Sequence, residues 1–128
     1  MTTLLYLARI LLVAVLVVVV WASLKQTGNT IAGSDKIAHF LAYMSLAGLG
    51  LVSFQLLRNQ CLFMLFCLAL GGTMELIQGQ LPHRVMGWDD MLANSLGVLT
   101  AILVYWPLRG WIDRLLGRGT TTTATSGE

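Results

Sequence analysis

Apolar residues fill four long stretches of the chain, and short polar segments separate them. The stretches cover residues 4–24, 37–57, 61–77 and 91–106. A bilayer core about 30 Å thick is crossed by roughly 20 helical residues. The first two stretches have that length, and the last two reach it when their polar ends are included. Because lipid cannot satisfy exposed backbone groups, the pattern predicts an all-α membrane protein, a four-helix transmembrane bundle.

The polar segments predict where the helices end. Residues 25–34 form the first connection, residues 58–60 a tight turn, and residues 79–89 the third link. Pro107 and Gly110 are expected to end the fourth helix. Apolar residues then alternate with arginines, which predicts a short C-terminal interfacial helix. The transmembrane domain therefore covers residues 1–118, and residues 119–128 are expected to form a disordered polar tail.

Composition supports a lipid-facing surface. Of the 128 residues, 56% are hydrophobic and 11% are charged, whereas soluble domains average about 25% charged residues. The net charge of +2 comes without a basic patch, so nucleic-acid binding has no support. Cys61 and Cys67 are six helical residues apart, roughly 9 Å along the axis. That exceeds the reach of a disulfide, about 7 Å, so both are expected to be free thiols.

Basic residues suggest an orientation. Four spans place both termini on one side of the membrane. That side would carry Arg9, Arg58, Arg109, Arg114 and Arg118, and the other would carry Lys25, Lys36 and Arg84. The positive-inside rule therefore favours cytoplasmic termini in a multi-pass inner-membrane protein.

Polar residues open the second helix on one face. Asp35, His39 and Tyr43 are spaced four apart, so they line the same side and run from the interface into the membrane. Lys36 lies beside them and can extend to the headgroups as an interfacial anchor. Asp89 has the same interpretation at the start of the fourth helix.

The ends of the third and fourth helices add to this polar face. Glu75 and Gln78 close the third helix, Arg84 follows in the loop, and Asp90 and Asn94 open the fourth. The topology brings all these residues to one membrane face. Ionisable groups inside a membrane cost about 2.5–3.5 kcal/mol each. The sequence therefore predicts an inward-facing polar network, with Glu75 as the residue that most needs a partner.

Four motifs resemble the signature of the VanZ-like family in order and spacing. They are DKIAHFLAY at 35–43, ELIQ at 75–78, PHR at 82–84, and DMLAN at 90–94 followed by Gly97. The resemblance covers residues 35–97, about half the chain. His83 stands where the family often has glycine, and spacing favours Asp90 over Asp89 as the family position. The resemblance implies the four-span fold and a link to glycopeptide resistance, chiefly to teicoplanin, without an agreed biochemical activity.

Two classes of function fit these residues. The first is a non-enzymic envelope protein whose polar cluster binds a lipid headgroup, a lipid-linked cell-envelope intermediate or an amphipathic antibiotic. Arg84, Lys36 and the start of the second helix suit a phosphate. The predicted ligand-binding residues are Asp35, Lys36, His39, Tyr43, Glu75, Gln78, Arg84, Asp90 and Asn94.

The second class is an intramembrane enzyme acting on a lipid phosphate or glycan carrier. Glu75 or Asp90 would be a general base, His39 an acid or base, and Arg84 an oxyanion clamp. Alternatively, the cluster is an architectural salt-bridge network. A metal site is a weak prediction, because one histidine with dispersed carboxylates lacks the spacing of a known zinc motif. We therefore expect no metal and no cofactor. The oligomeric state stays open.

Overall fold

The computed structural model describes residues 3–25, 34–82 and 87–118, and within these ranges the protein is four helices without a strand. The helices are α1 (Thr3–Leu24), α2 (Ser34–Ser53), α3 (Leu57–Gln78) and α4 (Trp88–Leu115). Each is long and apolar enough to cross a membrane. The predicted all-α, four-helix class is confirmed. Residues 26–33 and 83–86 and the predicted tail, residues 119–128, lie outside the described ranges.

The outer surface of the bundle is apolar. Only 17% of an apolar 18-residue stretch of α1 is buried inside the protein, and for α2 the corresponding share is 39%. Large side chains such as Val17, Leu65 and Leu103 are more than half exposed. A soluble monomer rarely exposes a contiguous apolar patch larger than a few hundred Å². This surface therefore faces lipid.

The core is centred on α2, which packs most extensively against α4. Tyr43, Leu46 and Ala47 of α2 are almost fully buried. The approach of α4 depends on Gly97, where an added Cβ would lie 2.4 Å from the backbone oxygen of Phe40. Glycine at this position lets the two backbones meet, as small residues do between membrane helices.

The turn between α2 and α3 lies earlier than predicted. It consists of residues 54–56, and Arg58, Asn59 and Gln60 belong to the first turn of α3. The prediction that the second helix runs to residue 57 and that residues 58–60 form the turn is therefore wrong. Leu57 belongs to α3 and Leu56 to the turn, which the sequence pattern does not indicate because an apolar run does not show where its helix breaks.

Gln60 is a buried side chain that closes the end of α2. Its amide donates hydrogen bonds to the backbone oxygens of Leu51 and Phe54, both at 2.9 Å, and the same nitrogen lies 3.2 Å from the Tyr105 hydroxyl. The last carbonyls of a helix have no partner within the helix. Gln60 supplies one in a region where lipid cannot.

Two arginines contact the same end of α2. Arg9 of α1 donates to the backbone oxygen of Ser53 at 3.4 Å, and Arg118 donates to that of Val52. Arg118 also pairs with Asp113 at 3.3 Å. The carbonyl end of a helix carries partial negative charge, which favours cations there. Three other parts of the chain therefore converge on the C-terminus of α2.

Helix α4 continues through Pro107 and Gly110 to Leu115. The prediction that these residues end the helix, and that a separate interfacial helix follows, is wrong. Membrane helices tolerate proline because neighbouring groups satisfy the freed backbone. The helix instead ends at Gly117, which has a φ of 65° and whose amide donates to the Arg114 oxygen. Glycine in this left-handed conformation is a common helix terminator.

The cysteines are free thiols, as the sequence predicts. Cys61 is exposed on the apolar surface and Cys67 is buried in the core.

Candidate functional site

Three helices bring polar side chains together at the end of the bundle opposite Gln60. His39 comes from α2, Glu75 from α3 and Asn94 from α4. The His39 Nδ1 atom lies 3.0 Å from Asn94 Oδ1 and 3.9 Å from Glu75 Oε1. Only 10% of the His39 side chain and 1% of the Glu75 side chain are exposed. The predicted meeting of these helix ends is therefore observed, and its centre is buried.

Asp90 completes this group. One ligand-capable atom from each of His39, Glu75 and Asp90 lies within 4.8 Å of the others. Gly87 stands at the start of α4, and its amide donates to Glu75 Oε2 at 3.3 Å. One carboxylate oxygen of Glu75 is thus held by backbone, while the other faces His39. We call His39, Glu75, Asp90 and Asn94 the polar cluster.

A glycine on α3 allows the cluster to pack tightly. A Cβ at Gly71 would lie 3.2 Å from Asn94 Nδ2 and 3.3 Å from the ring of Tyr43. Tyr43 and Asn94 are 1% and 3% exposed. Within the described residues, the Tyr43 hydroxyl and the Asn94 Nδ2 group have no hydrogen-bond partner. A buried polar group without a partner costs about 1–3 kcal/mol. A ligand that forms hydrogen bonds to these two atoms would remove that cost.

A cleft connects the polar cluster with the apolar surface of α1. It has a volume of about 270 Å³. Its polar lining includes Asp35, His39, Tyr43 and Gln78, which were all predicted site residues. The rest of its lining is Val18, Val19, Ala22, Ser23, Ala38 and Ala42. Polar and apolar side chains therefore line one cavity between α1 and α2, with Gln78 of α3 at its edge.

Gln78 joins α3 to α1 at the edge of this cleft. It is 1% exposed, and its amide donates to the backbone oxygen of Ser23 at 2.8 Å. This bond satisfies one of the last carbonyls of α1. Gln78 therefore holds the cleft wall in place.

Lys36 lies away from the polar cluster. Its ammonium bonds to Asp89 at 2.7 Å, and both side chains are more than half exposed. The pair stands over a second groove between α2 and α4, of about 430 Å³, whose remaining lining is apolar. This placement agrees with the interpretation of Lys36 and Asp89 as interfacial anchors. Arg84 and His83 lie outside the described residues.

The sequence pattern does not indicate two parts of the site. Ser23 and its apolar neighbours on α1 form a wall of the cleft, but nothing in an almost uniform apolar helix marks the face that does so. Gly87 donates its amide to Glu75. A glycine immediately before a helix start is a weak signal for such a backbone donor, because it is also common in ordinary loops.

The fold and the site together define a class. The chain is an integral-membrane four-helix protein with a buried histidine–carboxylate cluster at one end of its bundle. A family comparison matches residues 8–112 to VanZ/LLP1. Because this match covers most of the chain, the protein belongs to the VanZ family. No curated protein and no solved structure gives a significant match.

Proposed function

We propose that this protein is a multi-pass protein of the bacterial inner membrane that binds an amphipathic molecule in the cleft between α1 and α2. Its ligand is a membrane lipid, a lipid-linked cell-envelope intermediate or an amphipathic antibiotic. The polar head lies near Asp35 and His39, and the apolar chain follows the walls of α1 and α2. The termini lie in the cytoplasm, so the polar cluster faces outward.

The single observation that supports this proposal is the mixed lining of the cleft. Ligand sites are mostly apolar and carry a few placed polar groups that fix orientation. Here the polar side chains of Asp35, His39 and Tyr43 run beside apolar positions, including Val18 and Ala42, in the same cavity. A molecule with a polar head and an apolar chain can contact both kinds of lining. A wholly polar solute would leave the apolar walls without a contact.

A substitution that narrows the cleft can distinguish lipid binding inside the cleft from lipid binding elsewhere on the apolar surface. Ala38 lines the cleft and is exposed, so Ala38→Leu narrows the cavity without removing a polar group. The wild type and Ala38→Leu would each be incubated with a polyprenyl phosphate, phosphatidylglycerol or phosphatidylethanolamine. Native mass spectrometry would then measure how much of each lipid each protein retains. We expect Ala38→Leu to weaken retention of the preferred lipid by about tenfold, equivalent to about 1.4 kcal/mol.

The matched control is Ala69→Leu. Ala69 is exposed on α3 and does not line the cleft. The same enlargement there should leave retention unchanged. Equal retention by the wild type and both variants, for every lipid, would refute binding in the cleft. A preference for one lipid that Ala38→Leu removes would identify the class of headgroup.

A second candidate function is an intramembrane enzyme acting on a lipid phosphate or glycan carrier. The observation that favours it is the contact of the His39 ring with both Asn94 and Glu75 beside the cleft. A carboxylate beside an imidazole can orient the ring, which suits a general acid or base. Asp90 would stand close enough to share that role.

The enzymic candidate has its own test. Purified protein in nanodiscs would be incubated with a polyprenyl pyrophosphate or a polyprenyl-linked glycan, and products would be followed by mass spectrometry. The candidate requires turnover that His39→Asn abolishes. Retention of the lipid without any product, over a range of pH and added metals, would leave the binding function and exclude the enzymic one.

A further inference from the structure

The polar cluster has the donor set and spacing of a divalent-cation site. His39, Glu75 and Asp90 come from three different helices, and each can offer one ligand atom within 4.8 Å of the others. Imidazole nitrogen and carboxylate oxygen together suit first-row ions such as Mn²⁺ and Zn²⁺. We infer that the polar cluster binds one divalent cation of this class.

The ligand atoms of the polar cluster would have to move closer together to coordinate an ion. Ligand atoms about 2.1 Å from an ion lie about 3 Å apart in adjacent positions and about 4.2 Å apart in opposite ones. The His39 Nδ1 to Asn94 Oδ1 distance is 3.0 Å, and the His39 Nδ1 to Glu75 Oε1 distance is 3.9 Å. Asn94 can therefore add a fourth, neutral oxygen. At most one pair of the three ligand atoms can be opposite, so the other separations, which are within 4.8 Å, must shorten to about 3 Å when an ion binds.

The surroundings hold the ligands in place. The Gly87 amide donates to Glu75 Oε2 and leaves Oε1 directed at His39. Such outer contacts commonly orient metal ligands. Gly71 and Gly97 bring α3 and α4 close to the cluster and to α2, so the three ligand-bearing helices have little freedom to separate.

An independent observation also points to a ligand here. Tyr43 lines the same cleft as His39, and its buried hydroxyl has no hydrogen-bond partner in the described part of the chain. A water bound to the cation and directed into the cleft would donate a hydrogen bond to the oxygen of this hydroxyl. The inference does not rest on the proposed lipid binding, because the ligands are side chains of the protein alone.

The test uses the full-length protein in nanodiscs, with any affinity tag removed and bound metal stripped by a chelator. Mn²⁺ binding would be measured by electron paramagnetic resonance and Zn²⁺ binding by calorimetry. We expect one ion per chain. Glu75→Gln and Asp90→Asn should each weaken binding by about tenfold or more, equivalent to at least about 1.4 kcal/mol.

The matched control is Asp89→Asn. Asp89 precedes Asp90 directly but pairs with Lys36, and its side chain is 69% exposed, so its loss should leave metal binding unchanged. Equal effects of the Asp89 and Asp90 variants would indicate nonspecific surface binding and overturn the inference. The absence of near-stoichiometric binding by the wild type would overturn it as well.

A spectroscopic measurement keeps the inference testable if the cluster variants fail to fold. The chain has two histidines, and His83→Asn leaves only the one in the cluster. Pulsed electron paramagnetic resonance of Mn²⁺ bound to His83→Asn should still show coupling to one imidazole nitrogen. A spectrum without nitrogen coupling would exclude His39 as a ligand and overturn the site. Lipid retention is measured separately, so either proposal can fail alone.

Discussion

At the scale of single residues, Tyr43 separates a role in stability from a role in binding. Its ring packs against Gly71, whereas its buried hydroxyl has no hydrogen-bond partner in the described part of the chain. Packing and hydrogen bonding are therefore carried by different atoms of one side chain. Deleting the hydroxyl alone tests only the second.

Tyr43→Phe should leave the stability of the protein unchanged or slightly higher. Removing a buried polar group that lacks a partner relieves its desolvation cost. If the hydroxyl contacts a ligand in the cleft, the same variant should retain less lipid. The measurements are the thermal unfolding midpoint in nanodiscs and lipid retention. Tyr6→Phe is the control, since Tyr6 is 57% exposed on α1; a large loss of stability in Tyr43→Phe alone would show that the hydroxyl is structurally paired.

The residue scale also shows what the sequence could reveal about the site. Asp35, His39 and Tyr43 share a helix face because their spacing is four, and Glu75 and Asn94 meet them because the topology places three helix ends together. Those relations follow from the sequence. The separation of Lys36 from the cluster does not, because its charge alone leaves open whether it turns towards Glu75 or towards Asp89, and the observed 2.7 Å bond is to Asp89.

At the scale of helices, Gly97 sets the distance between α2 and α4. An added Cβ there would lie 2.4 Å from the Phe40 oxygen and 2.9 Å from the Met44 nitrogen. Because both are backbone atoms, no side-chain rotation can relieve the overlap. The helices would have to separate, and Asn94 would move with α4, away from His39.

Gly97→Ala should therefore destabilise the bundle by about 1–3 kcal/mol, the usual range for overpacking. Gly48→Ala is the matched control, because its added Cβ meets nothing within 4 Å and alanine is the better helix former by about 1 kcal/mol. Unfolding in mixed micelles would measure both. Similar stabilities for the two variants would show that α2 and α4 are not in direct backbone contact.

Gln60 gives a second prediction at this scale. Gln60→Ala removes the donor that serves the Leu51 and Phe54 carbonyls and leaves them facing an apolar environment. The cost should be at least about 2 kcal/mol, because two carbonyls lose their donor and each unpaired buried group costs about 1–3 kcal/mol. The control is Gln55→Ala in the exposed turn. If thermal unfolding shows the same small change for both variants, the end of α2 is satisfied in another way.

The positions of the helices were more predictable than their ends. Hydrophobic length identified all four spans, because the thickness of a bilayer imposes it. The ends depend on individual contacts. The polar side chain of Gln60 predicts a turn, yet Gln60 lies in α3 and hydrogen-bonds to carbonyls at the end of α2. Pro107 predicts a helix end, yet α4 continues to Leu115, and the left-handed Gly117 follows its last turn.

At the scale of the whole molecule, the two ends of the bundle have different chemistry. One end carries Arg9 and Arg118, which bond to the carbonyls that close α2. The other carries the polar cluster and the opening of the cleft. Helix α2 has 20 residues, so these ends lie roughly 30 Å apart, about the thickness of a bilayer core. The positive-inside rule predicts that the end with the arginines faces the cytoplasm.

Orientation can be tested with two exposed glutamines at opposite ends. Gln55 lies in the α2–α3 turn beside the arginine end, and Gln80 follows α3 beside the polar cluster. In a chain whose two native cysteines are replaced by serine, Gln55→Cys and Gln80→Cys would each be treated with an impermeant maleimide in intact spheroplasts. The positive-inside rule predicts that Gln80→Cys reacts at once and that Gln55→Cys reacts only after the membrane is permeabilised.

The reverse pattern would place the polar cluster on the cytoplasmic side, where its ligand would have to come from the inner leaflet. Labelling of both sites in intact spheroplasts would contradict the four-span topology itself.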